Sequence, residues 1–202
     1  YVKVTSAPAD WSGDYLIVYE DGSVALNGGL TDKLDKVANT VEVNIANDKI
    51  EATDAMKAAQ ITIVNNGDNY TLQSASGFYF GQTSNANGLA SSKTTQYTNT
   101  LSLNEDGTVN VISSGGAYLR YNFSKDQTRF RYYKSSTYTQ QKAITLYKYE
   151  DAEGAVTVTA PSIKGKKTFV ETLSVTLVAG EGAEVRYTLD GTTPDANSTR
   201  YT

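Results

Sequence analysis

Hydrophobic and polar positions alternate along most of the chain in short bursts, separated by turns rich in Gly, Asn and Asp. The clearest bursts are Ile61-Thr62-Ile63, Leu101-Ser102-Leu103 and Ile144-Thr145-Leu146. Each closes a block that opens on another alternating stretch: Tyr15-Leu16-Ile17-Val18, Tyr70-Thr71-Leu72-Gln73 and Val109-Asn110-Val111-Ile112. A period of two puts alternate side chains on one face of a strand. The chain therefore reads as three consecutive repeats of about four strands each.

Aligned on these bursts, the first repeat supplies Ile17, Leu26, Ile61 and Ile63. The second supplies Leu72, Phe80, Leu101 and Leu103, and the third Val111, Leu119, Ile144 and Leu146. Gly22, Gly77 and Gly116 precede the second position each time, and the first two positions lie nine, eight and eight residues apart. Such spacing fits hairpins of nearly equal length, with Glu20-Asp21-Gly22, Ser76-Gly77 and Ser114-Gly115-Gly116 as turns. No single repeat can bury its apolar face alone, so the three are expected to close on one another. The expected fold is all-β: a β-trefoil-like barrel over residues 1–150, with Tyr1–Ser6 beside the last strand, 143–150.

The first repeat is longer between Leu26 and Ile61. Val41-Glu42-Val43-Asn44-Ile45 and Asn47-Asp48-Lys49-Ile50 predict an extended hairpin with an Asn-Asp turn. Thr53 to Ala59 reads either as a helical turn with Thr53 or Asp54 as N-cap, or as an irregular connection. After Glu150, residues 151–154 (Asp-Ala-Glu-Gly) form a polar linker. Val156-Thr157-Val158, Leu173-Ser174-Val175-Thr176-Leu177 and Glu184–Leu189 then predict further strands. Residues 155–202 are too few for a complete sandwich, so this part reads as a truncated domain.

Composition narrows the chemistry. The 202 residues include 15 Tyr and neither His nor Cys. That excludes disulfides, a Ser-His-Asp triad and His or thiolate metal ligands. Neither a phosphate-cradling Gly-Lys-Ser/Thr loop nor a dinucleotide fingerprint is present. No cofactor or metal is expected. No apolar run approaches the ~18 residues of a membrane-spanning helix, so no membrane insertion is expected. Net charge is −4, but residues 117–149 carry seven basic side chains against the single acid Asp126. The third repeat is a basic island on an acidic chain.

Two stretches resemble known families. Arg186-Tyr187-Thr188-Leu189-Asp190-Gly191-Thr192-Thr193-Pro194, with Ser198-Thr199-Arg200-Tyr201-Thr202, resembles the chitobiase/β-hexosaminidase C-terminal-type domain. That resemblance implies an immunoglobulin-like β-sandwich, usually non-catalytic, appended to secreted bacterial enzymes and surface proteins. Residues 1–150 resemble a module of large secreted proteins of gut bacteria. The likeness rests on Trp11-Ser12-Gly13-Asp14-Tyr15-Leu16-Ile17, Ser76-Gly77-Phe78-Tyr79-Phe80-Gly81, Ala117-Tyr118-Leu119-Arg120-Tyr121, Arg129-Phe130-Arg131-Tyr132-Tyr133-Lys134 and Ile144-Thr145-Leu146-Tyr147-Lys148. It implies an accessory region of a multidomain protein that is secreted or at the cell surface, with neighbouring domains of the same polypeptide as partners.

Candidate binding residues follow from the alternation. If Phe130 and Tyr132 face inward, Arg129, Arg131 and Tyr133 face outward together. Tyr118 and Arg120 join them if Leu119 faces the core. Aromatic rings stack on sugars or bases, and Arg forks grip carboxylate or phosphate. The competing reading is a strand face whose cations balance nearby acids and whose tyrosines complete packing. Trp11, the only tryptophan, is either a sugar-stacking anchor or a plug at the open end of the barrel. Glu20/Asp21 and Glu105/Asp106 precede glycines and read as turn acids rather than a catalytic pair. Asp190–Asp195 lacks EF-hand spacing and reads as a structural turn.

No catalytic residues are assigned, and the chain is expected not to be an enzyme. The function these readings favour is a non-catalytic accessory module that binds carbohydrate. Two alternatives remain: a spacer positioning a catalytic neighbour, and nucleic-acid binding through the third repeat. Overall acidity argues against the latter.

Overall fold

A computed structural model describes residues 1–150, 186–195 and 197–200. The chain divides into two compact units, Tyr1–Glu150 and Asp151–Thr202. Of the described residues, 42% are in strand and 7% helical, so the protein is all-β.

Strand β1 (Val2–Lys3) precedes the first repeat, which runs through β2 (Gly13–Tyr19), β3 (Val24–Leu26), β4 (Thr40–Glu42), β5 (Ile45–Ala46), β6 (Lys49–Ile50), helix α1 (Asp54–Ala59) and β7 (Ile61–Asn66). The second comprises β8 (Asn69–Ser74), β9 (Tyr79–Gly81), β10 (Ala90–Ser92) and β11 (Thr98–Leu103). The third comprises β12 (Val109–Ser113), β13 (Tyr118–Asn122), β14 (Arg129–Tyr133) and β15 (Thr145–Lys148). All pairings are antiparallel, and β1 pairs β15 as expected, Val2 opposite Lys148.

Pairing repeats three times. Within repeats, Tyr15 faces Ile61, Tyr70 faces Asn99 and Val109 faces Ile144. Between repeats, Ile63 faces Leu72, Leu101 faces Val111 and Leu146 faces Ile17. Five of these six junctions are ladders. The sixth, between β12 and β15, is a single bridge in which the Val109 N–H donates to the Ile144 carbonyl at 2.8 Å. The sheet is therefore not closed by a continuous ladder, contrary to the barrel expected from the pattern.

The same register corrects one alignment. Asn99 and Leu101, not Leu101 and Leu103, are the counterparts of Ile61/Ile63 and Ile144/Leu146. A two-residue slip keeps every side chain on its own face, so alternation alone does not distinguish the two registers. Asn99 is 1% exposed at a position where the other repeats carry Ile. Its Oδ1 accepts the Tyr132 hydroxyl at 2.7 Å, and its Nδ2 donates to the Tyr97 carbonyl at 3.3 Å. Leu101 and Leu103 are only half-buried.

The remaining matched positions, from Ile17 through Leu146, are buried in one cluster with Trp11, Tyr15, Leu34, Tyr121, Phe130 and Tyr132. Each large apolar side chain so buried contributes about 1.5–3 kcal/mol. On the other face of β2 and β15, Leu16, Val18 and Tyr147 form a second cluster with Val43, Ile50, Met56 and Ala59. The long segment of the first repeat builds that second core. Its Asn-Asp hairpin forms between β5 and β6, with Asn47 at φ 52° and Asp48 at φ 57°. Val41-Glu42 instead lies in β4 and pairs β3. The helical reading of 53–59 holds: Thr53 Oγ1 accepts the Met56 N–H at 3.3 Å, and α1 turns Met56 and Ala59 inward.

In the second unit, β16 (Arg186–Tyr187) pairs β17 (Thr199–Arg200). The linker at 151–154 and the strands expected around Val156–Val158 and Leu173–Leu177 lie outside the described residues.

Candidate functional site

Strands β13 and β14 form a regular hairpin, with Tyr118 opposite Tyr133, Arg120 opposite Arg131 and Asn122 opposite Arg129. Leu119, Tyr121, Phe130 and Tyr132 enter the core. The alternation thus places Tyr118, Arg120, Arg129, Arg131 and Tyr133 on the other face, as expected. That face is not solvated, however. Arg120 and Tyr133 are each only 4% exposed.

One cover is the short turn Tyr138–Gln140. The Tyr138 ring stacks on Tyr118 at 3.9 Å between centroids and 9° between planes. The Arg120 guanidinium lies against both rings, 4.9 Å from Tyr138 and 5.6 Å from Tyr118. Its Nη1 donates to the Leu119 carbonyl at 3.1 Å and its Nη2 to Asn110 Oδ1 at 2.5 Å. Burial lowers the Arg120 pKa from its ordinary value, and the neighbouring tyrosines offset part of that effect. Tyr118 and Arg120 therefore bind this turn. They do not form an open sugar platform.

The other cover is the loop between β3 and β4. Asn39, fully buried, acts as a strand neighbour for β14: its Oδ1 accepts the Phe130 N–H at 2.8 Å and its Nδ2 donates to the Phe130 carbonyl at 2.9 Å. The Ala38 N–H donates to the Thr128 carbonyl, and Leu34 is buried in the main core. This places Asp35 against the arginines. Asp35 Oδ2 accepts Arg131 Nε at 3.1 Å and the Leu89 N–H at 3.2 Å, while Arg129 Nη1 lies 3.8 Å from Oδ1. Arg129 and Arg131 thus balance a nearby acid. Sequence reasoning missed Asp35 and Asn39, because neither sits in a periodic segment.

Trp11 is 5% exposed and belongs to the main core, with its backbone N–H 3.5 Å from the Tyr70 hydroxyl. Its ring is not open for stacking. Glu20 takes the Tyr147 hydroxyl at 2.6 Å and Lys3 Nζ at 2.9 Å. Desolvation opposes its charge, but those two partners prevail and hold the Glu20 carboxyl below its ordinary value. Asp106 accepts from the Thr108 N–H and hydroxyl, and Asp190 accepts from Thr192 in the same way. These are turn acids.

An open feature of the first unit lies where the first and third repeats meet. A groove of about 150 Å³ is lined by Tyr19, Glu20, Asp21, Thr108, Lys142 and Ala143 among others. Tyr19 stacks on Tyr121 at 4.7 Å, which fixes the ring on the groove wall. Burial and the charge of Asp21 push the Tyr19 hydroxyl pKa up. Asp21 and Lys142 form no ion pair among the described residues. Lys142 Nζ instead sits 4.6 Å from the ring centroid of Phe123, which is 53% exposed. Asp21, hydrogen-bonded by Tyr19, and Lys142 thus line one groove, and the exposed Phe123 ring lies beside Lys142. The sequence signal for Phe123 is an aromatic residue placed in a polar turn, Asn122-Phe123-Ser124.

Residues 164–202 match the chitobiase/beta-hexosaminidase C-terminal domain family. The match contains the whole of the Arg186–Thr202 stretch singled out in the sequence, and that family is a non-catalytic, carbohydrate-associated immunoglobulin-like domain. No curated protein and no solved structure matches the chain.

Proposed function

We propose that residues 1–150 are a non-catalytic accessory unit that binds carbohydrate, with its three repeats arranged as a β-trefoil, in a secreted or surface-attached multidomain protein. The threefold recurrence of strand register supports the trefoil reading, and the Val109–Ile144 bridge lies where its seam falls. Slow exchange of the Val109 amide, comparable to ladder amides, is its signature.

The observation that carries the binding reading is the groove at the junction of repeats one and three. Sugars present hydroxyls that both donate and accept, and faces of C–H groups that stack on aromatic rings. In the groove Asp21 accepts, Lys142 donates and Tyr19 offers a ring, and Phe123, beside Lys142, offers a second. The groove is smaller than the ~300 Å³ of enclosed small-molecule pockets, so it suits one ring laid across an open surface. The match at 164–202 is consistent with an accessory role beside carbohydrate-active domains.

A glycan array followed by calorimetry tests this. A hit should weaken about tenfold, corresponding to about 1.4 kcal/mol, in Phe123→Ala, and again in Asp21→Ala. Absence of any hit for the intact chain sinks the reading. The spacer alternative is favoured by the burial of Trp11, Arg120 and Tyr133, and it predicts that silent array. Nucleic-acid binding is disfavoured by the pairing of Arg129 and Arg131 with Asp35.

A further inference from the structure

We propose that Arg129, Arg131 and Tyr133 form a second subsite, for the carboxylate of an acidic sugar, and that Asp35 occupies it in the free protein. The inference rests on the glycan-binding reading but not on the groove.

Two arginines converge here on one carboxylate. The contact is uneven: one bond from Arg131 Nε at 3.1 Å, and a 3.8 Å approach by Arg129 Nη1 that is too long to be a hydrogen bond. Arg and carboxylate pair best through two parallel bonds, and neither pair here achieves that. The mismatch leaves Arg129 Nε and Asp35 Oδ1 buried without a hydrogen-bond partner, and the buried Tyr133 hydroxyl, which interacts with Asn122, lies near the same two arginines. These belong to residues that share one side of the β13–β14 hairpin or dock against it. Buried polar groups are ordinarily satisfied, so two orphans on facing members of one ion-paired cluster are unusual. Tyr133 is 4% exposed, and burial raises its hydroxyl pKa, which keeps it a donor. One unpaired donor, Arg129 Nε, and one net positive charge are therefore left over once Asp35 is in place.

A ligand carboxylate supplies what Asp35 does not. Asp35 is held by its backbone between the buried Leu34 and the Asn39 clamp, so its oxygens cannot move to meet both arginines. A free carboxylate can choose its own position and accept from Arg129 Nε, Arg131 Nε and the Tyr133 hydroxyl together. To admit it, the Asp35 side chain must rotate about its fixed backbone, away from the cluster. A neutral sugar can accept single hydrogen bonds here but leaves the positive charge unbalanced, so the subsite favours acidic sugars such as uronic acids.

Removal of the built-in carboxylate tests the idea in the intact chain. Asp35→Ala is expected to melt lower than the unsubstituted protein. Galacturonate should raise its melting temperature saturably, and galactose should not. Oligogalacturonate should bind Asp35→Ala about tenfold tighter than the unsubstituted chain, and adding Arg131→Gln should remove that gain. Asp35→Asn, nearly isosteric, serves if the alanine variant does not fold. Equal effects of galacturonate and galactose, or an oligogalacturonate affinity indifferent to position 35, overturn the subsite. Neutral-glycan binding that survives such a result leaves the groove standing, and loss through Phe123→Ala alone marks the groove.

Discussion

Tyrosine is the residue on which much of this core depends, and its hydroxyls are not equivalent. The Tyr132 hydroxyl donates to Asn99 Oδ1 at 2.7 Å, whereas the fully buried Tyr15 hydroxyl has no partner. Burial pushes the Tyr15 pKa up to about 12 and the Tyr132 pKa higher still. A folded pKa above the unfolded value of about 10 means that the unfolded chain loses these protons first as pH rises. Stability is therefore complete below about pH 10 and is lost as pH rises through the folded pKa of about 12. Urea unfolding followed from neutral pH to about pH 12, with tyrosinate absorbance, should show this fall. Tyr15→Phe removes an unsatisfied hydroxyl and one titrating group. Its neutral-pH stability should be unchanged or higher by about 1 kcal/mol, with a shallower alkaline fall. Tyr132→Phe orphans Asn99 Oδ1 and should cost about 1–3 kcal/mol. Equal losses in the two variants would contradict this account.

Among elements, the loop before β4 decides what the third repeat can do. Asn39 supplies both a donor and an acceptor to Phe130 and so occupies part of the outer edge of β14, as the Gly88–Tyr132 pairing does further along. Asn39→Ala leaves a buried N–H and a buried carbonyl unpaired, and should cost about 2–4 kcal/mol. Its diagnostic is faster hydrogen exchange at the Phe130 amide than at Tyr121, whose N–H donates to the Lys142 carbonyl instead. An unchanged Phe130 rate would refute the clamp. This loop also shows where sequence stopped being informative. Strands were legible because a buried face needs a period of two, and Ile17, Leu72 and Val111 all met that demand. Asn99 was not, because a two-residue slip preserves the alternation and Leu101-Ser102-Leu103 imitates the pattern better. The outward face of Arg129, Arg131 and Tyr133 was placed correctly, but its burial was not. What covers it comes from Asp35 and Asn39, more than 90 residues away and without periodicity. The groove was missed for a related reason: Asp21 belongs to the first repeat, and Phe123 and Lys142 to the third.

For the molecule as a whole, the question is where the first folding unit ends. Among the described residues, both core clusters draw on residues up to Tyr149. The last of these have specific roles: Tyr147 is fully buried and bonds Glu20, Tyr149 packs 5.2 Å from Tyr1, and the Tyr149 N–H donates to the Asp14 carbonyl at 2.7 Å. A fragment of residues 1–150 keeps all three, and its thermal midpoint should lie within about 3 °C of that of the corresponding transition in the intact chain. A fragment ending at Leu146 loses a large buried aromatic of the second core and the closing strand contact with β1. Truncating such a side chain alone costs about 3–5 kcal/mol, enough to lower the midpoint by roughly 10 °C or more in a unit of this size. Circular dichroism melts of the two fragments separate the cases. A drop of more than about 5 °C in the 1–150 fragment would mean that residues beyond Glu150 contribute to this core. Equal melting of both fragments would mean that Tyr147 and Tyr149 do not.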